Sequence, residues 1–74
     1  MEDKLREVFS QVLGMDASQV TDELQYAVAE GWDSVAHMSL IAAIEEAFDI
    51  MIDAEDVIDM SSFRKARDIV AKYL

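Results

Sequence analysis

The sequence predicts an all-α fold, a small four-helix bundle with three main helices, one short helix and a long loop between the first and second. Three observations carry this. Apolar residues recur at i, i+3, i+4 spacing in three separate stretches, and serine or aspartate stands before two of them as a capping residue. No stretch alternates apolar and polar residues with the period of a strand. Seventy-four residues without a cysteine make one domain over residues 1–74, near the lower size limit for a core held by packing alone.

The first helix is expected from about Asp3 to Leu13, where Leu5, Val8, Phe9, Val12 and Leu13 form one stripe. Glu2 and Asp3 suit the positive end of its dipole, and Gly14 is a natural stop. Residues 14–33 then form a connection long enough to cross the bundle. Val20, Leu24, Tyr26 and Val28 would pin it down, with a helical turn around Asp22 to Ala29. Trp32 reads as a half-buried anchor of this loop.

The second helix is capped by Asp33 or Ser34 and runs to Asp49. Leu40, Ile41, Ile44 and Phe48 share its core face with His37, and Phe48 is expected between the first and last helices. The opposite face carries Val35, Met38 and Ala42 beside Ser39, Glu45, Glu46 and Asp49. A helix that needed only to pack would not require that mixture. Ile50-Met51-Ile52 reads as a short buried connector, and Ala54 to Asp59 as the short helix. Ser61 or Ser62 caps the last helix, where Phe63, Ala66, Ile69, Val70 and Tyr73 face inward and Arg64, Lys65, Arg67 and Lys72 face outward.

Charge is segregated along the chain. The net charge is −10, and all six basic residues lie in the first six or last eleven positions. Between Glu7 and Phe63 there are thirteen acids and no Lys or Arg. Such a field repels nucleic acid and anionic membrane and steers basic protein surfaces towards the middle of the chain. The N-terminus lacks a basic, apolar leader and no stretch could span a bilayer, so a monomer in the cytoplasm is expected.

Two catalytic or metal-binding readings fail on geometry. Asp33, Ser34 and His37 include the residue types of a hydrolytic triad. Ser34 and His37, three apart on one helix, leave no room for the acid behind the imidazole. Gly31-Trp32-Asp33-Ser34-Val35 also lacks the second glycine of a nucleophile elbow. His37 is instead expected at the helix–loop junction, bonded to loop backbone. A calcium loop starting at Asp53 would need glycine at Ile58 and glutamate at Arg64, so no metal site is expected.

What remains is a serine hydroxyl at a helix N-terminus, where free N–H groups and the dipole favour an anion such as a phosphodiester. Gly31-Trp32-Asp33-Ser34-Val35, followed by Met38, Leu40, Ile41 and Ile44-Glu45-Glu46-Ala47-Phe48-Asp49-Ile50, resembles the Asp-Ser-Leu region of acyl carrier proteins. The first helix, the long loop, the acidic short helix and Met60-Ser61-Ser62-Phe63 are similar to that family too. The resemblance covers essentially the whole chain. It implies a stand-alone, non-catalytic carrier in which Ser34 bears 4′-phosphopantetheine, attached from coenzyme A by a phosphopantetheinyl transferase. The thiol of that arm would hold acyl intermediates of fatty-acid, polyketide or other specialised biosynthesis as thioesters, which suits a chain without cysteine. Asp33, Val35, Met38, Ser39, Ala42, Glu45, Glu46 and Asp49 are then the expected face for acyl-transferring, ligating or condensing enzymes with basic docking surfaces. Val35 stands in place of the motif's leucine, and Ala36 and Ser39 where carriers of fatty-acid synthesis commonly have acids. The stretch Leu24–Trp32, with His37, looks closer to carriers of specialised pathways. An aminoacyl or peptidyl carrier, and an acidic interaction module without a prosthetic group, are the alternatives.

Thirteen acids without an intervening base repel one another, and salt screens that repulsion. The melting temperature is therefore expected to rise with moderate NaCl, as followed by circular dichroism. A flat or falling response would mean that the terminal bases already compensate the acids.

Overall fold

The computed structural model describes residues 1–74 and contains four α-helices: α1 (Glu2–Leu13), α2 (Ser34–Phe48), α3 (Ala54–Asp59) and α4 (Phe63–Tyr73). The first helix ends as its glycine requires. Gly14 is left-handed (φ 66°, ψ 38°), and its N–H and that of Met15 both donate to the Ser10 carbonyl. Ser62 caps α4 by accepting the Lys65 N–H at 3.1 Å.

The core is assembled from every part of the chain except α3. Leu5 and Phe9 come from α1, Val20 and Trp32 from the long loop, and Leu40, Ile41 and Ile44 from α2. Ile52 and Met60 flank α3, and α4 adds Phe63, Ala66, Ile69 and Val70. At its centre Phe9 meets Trp32 edge-on at 5.3 Å and Phe63 edge-on at 5.1 Å. Losing a side chain as large as Trp32 from such a site costs about 3–5 kcal/mol, several times the value of a helix cap. Packing of the indole, more than any single hydrogen bond, therefore fixes the long loop.

Several expectations are corrected here. Trp32 is fully buried, at 1% exposure, because the loop turns its indole inward against Phe9 of α1, with Tyr26 and His37 around it. Phe48 is only partly buried: it packs on the edge of the core, with Lys4 Nζ 5.1 Å from its ring. Of the connector, only Ile52 is buried, while Met51 is 85% exposed. At Asp22–Ala29 the expected turn is a single one, closed by Ala29 N–H to Gln25 O at 2.9 Å, and it does not continue as a helix because Ala27 inside it is left-handed. The loop's regular piece is a 3₁₀ turn at Ala17–Gln19, and residues 24–26 pair with the start of α4 through Tyr26 N–H to Ser61 O and Phe63 N–H to Leu24 O, both 3.0 Å. The loop meets another strand-like segment there, which satisfies its backbone better than an isolated turn would.

Arg67 is not simply outward-facing. It holds Asp22 of the loop at 2.8 Å and Glu2 of α1 at 3.4 Å, while Lys72 holds Asp56 of α3 at 2.8 Å. Two of the thirteen mid-chain acids are thus neutralised by α4, which ties both the loop and α3 to it.

These pairs generate a pH prediction. The hydrogen bond from Arg67 holds the Asp22 carboxyl below its usual range, and those from Lys72 and Tyr73 do the same for Asp56. The unfolded chain then binds more protons than the folded one in acid. The stabilisation is fully present above the ordinary carboxylate pKa of about 3.9 and is lost as pH falls through the lower folded values. Melting temperature should fall less steeply below about pH 4 in Asp22→Asn and Asp56→Asn than in the wild type. Parallel acid limbs would show that these pairs contribute nothing.

Candidate functional site

The segment leading to Ser34 is folded back on itself by two left-handed residues, Ala27 (φ 65°) and Gly31 (φ 88°). Ala27 N–H donates to Trp32 O at 2.9 Å, and Trp32 N–H donates to Ala29 O at 3.2 Å. At Gly31 a Cβ would lie 3.3 Å from the Leu13 carbonyl, so a glycine lets the loop pass close under the end of α1. The chain leaves this turn with Trp32 inside and Asp33 outside. Asp33 is the N-cap, its carboxylate accepting the Ala36 N–H at 2.9 Å. Ser34 is therefore the first residue of α2. Its hydroxyl is exposed and spared from capping, and its own N–H and that of Val35 have no intrahelical acceptor.

The face running from Ser34 along α2 is exposed. Val35 is 75% and Met38 60% exposed, and Ser39, Ala42 and Glu46 also face solvent. Asp49 is exposed too, but it lies beyond the helix as a left-handed C-cap (φ 54°, ψ 52°), one residue past the last turn. Glu45 departs from the expectation. It is half-buried, and its carboxylate accepts the Ile52 N–H at 2.9 Å, tying the connector to α2. On the helical wheel it sits at the margin beside Ile41, so it serves the fold at the edge of the acidic face. Ile58 of α3, 80% exposed, is an apolar surface residue that the sequence did not single out. A helix of six residues is too short for periodicity to orient its faces.

His37 binds side chains and helix, not loop backbone as expected. Trp32 Nε1, which can only donate, lies 3.0 Å from His37 Nδ1. The imidazole proton is thereby placed on Nε2, which donates to the Val57 carbonyl of α3 at 2.8 Å. The two rings stack at 6.0 Å and 22°. No sequence rule pairs residues five apart across a helix cap, and the contact follows only from burial of the indole.

A family model described as "phosphopantetheine attachment site" matches residues 3–71. An acyl carrier protein from Guillardia theta is 36% identical over 70 residues, which cover 95% of this chain and 86% of that protein. The chain belongs to the acyl carrier protein family. Acyl carrier proteins of this type are carriers, not catalysts, and their prosthetic group is covalent 4′-phosphopantetheine. The site suits such a group. An exposed serine hydroxyl next to free helix N-terminal N–H groups accommodates a phosphodiester, and the neighbouring Asp33 carboxylate is turned towards the helix by its own hydrogen bond. No helix of the protein is long and apolar enough to cross a membrane.

The contrast between Glu45 and Glu46 can be tested by urea unfolding. Glu45→Lys removes the acceptor of a half-buried amide and should cost about 1–3 kcal/mol. Glu46→Lys, on the exposed face, should stay within about 0.5 kcal/mol of the wild type.

Proposed function

We propose that Ser34 is the attachment point of 4′-phosphopantetheine and that the protein presents acyl intermediates of fatty-acid, polyketide or other specialised biosynthesis to partner enzymes. The single observation that carries the reading is that Ser34 is an exposed first helical residue left uncommitted because Asp33 does the capping. When bound, the group supplies a terminal thiol that holds an acyl group as a thioester. The chain's own residues do the rest. The free amides of Ser34 and Val35 would hold the group's phosphodiester, and Asp33 fixes the helix start. Val35, Met38 and Ala42 offer a small apolar anchor, flanked by Ser39, Glu46 and Asp49.

The partners this surface fits are a phosphopantetheinyl transferase and acyl-transferring, ligating or condensing enzymes with basic docking surfaces. A carrier must bind briefly and release. A small apolar contact with steering charge meets that need better than a large interface. Glu45 belongs to the face by position, but its carboxylate is engaged with Ile52, so Glu46 and Asp49 supply the steering charge.

Incubation with coenzyme A and a broad-specificity transferase should add one phosphopantetheine mass to the wild type and none to Ser34→Ala. That variant should remain folded within about 0.5 kcal/mol, since the serine is not the cap. In the same assay Met38→Ala should slow transfer through faster dissociation, and Glu46→Lys through slower association that recovers as salt rises. An unmodified wild type would remove the carrier assignment from Ser34. Unchanged rates in both variants would remove this face from docking.

A further inference from the structure

Resting on Ser34 as the attachment point, we propose that an acyl chain carried by this protein stays outside the bundle. The imidazole of His37 and the indole of Trp32 close the seam between α2 and α3 beside that serine. The cargo class that follows is an acyl group short or polar enough to remain in water until a partner enzyme buries it.

The core lies on the side of α2 that carries His37, Leu40, Ile41 and Ile44, and the way to it from Ser34 passes His37. The His37 ring spans the seam, bonded to Val57 O of α3 at 2.8 Å and to Trp32 Nε1 at 3.0 Å. Behind it stands the indole, itself braced edge-on by Phe9 and Tyr26. Both imidazole nitrogens and the indole N–H are satisfied. An alkyl chain entering here would break those bonds and could replace none of them. Displacing the indole instead would surrender the aromatic contacts at the centre of the core. The far side of α3 is fastened as well, through Asp56 to Lys72 and Tyr73, so the helix has polar ties on two sides although Val57 is its only apolar side chain packed on the core. Over the closed seam Tyr26, His37, Val57, Ile58 and Met60 line a recess of about 250 Å³ that opens to solvent. It offers a shelf and no interior. A long alkyl chain left on that surface would keep most of its apolar area in water, which disfavours such cargo.

The test loads the full chain with acetyl-, octanoyl- or dodecanoyl-pantetheine from the corresponding acyl-coenzyme A, confirms each by intact mass, and follows melting temperature and emission of the single tryptophan. Melting temperatures agreeing within about 2 °C, with unchanged Trp32 emission, are expected for the three forms. A melting temperature that climbs with chain length beyond that margin, or a shift in Trp32 emission, would overturn the inference and leave the attachment reading intact. Absence of any added mass would overturn both. His37→Ala, or His37→Asn should the first fail to fold, should make the melting temperature depend on chain length. A variant series as flat as the wild type would show that this pair does not exclude the chain.

Discussion

Trp32 is two residues before Ser34, and its complete burial fixes where that serine stands. The indole packs against Phe9 of α1 and through it Phe63 of α4, while its N–H reaches the first turn of α2 at His37. One side chain from a loop therefore touches two of the three main helices directly and reaches the third through Phe9. A domain of this size has few apolar side chains to spend on loops, and a buried tryptophan removes more surface from water than any of its aliphatic residues. The loop's left-handed turn at Gly31 and the Asp33 cap then leave Ser34 as the first residue outside that constraint.

A second constraint is electrostatic. Acids fill the middle of the chain and bases its ends, so an extended reading suggests uncompensated repulsion. Folding brings α4 alongside the loop and α3, where Arg67 meets Asp22 and Lys72 meets Asp56. These surface pairs are individually weak, yet they sit where apolar packing is thinnest, since α3 sets only the half-buried Val57 against the core. The exposed part of α2 has no such partners, and Glu46 and Asp49 are left to the solvent or to another protein. Stability, and the docking proposed for α2, thus draw on the same surplus of negative charge at different places.

The four helices, the Ser62 cap, the Gly14 stop and the exposed stripe of Val35, Met38 and Ala42 were all legible in the residues, because each depends on spacing within a few positions. The serine at the start of α2 was legible for the same reason, and its motif pointed to the family. Spacing could not say how deep a side chain lies or what closes over it. Tertiary structure alone decided that Trp32 is a core residue, that Phe48 is a margin, that Glu45 holds the Ile52 amide, and that His37 joins the indole to α3. Each of these rests on contacts between segments that periodicity treats separately. Burial is a property of what packs against a residue, and that partner is set by how the whole chain closes on itself.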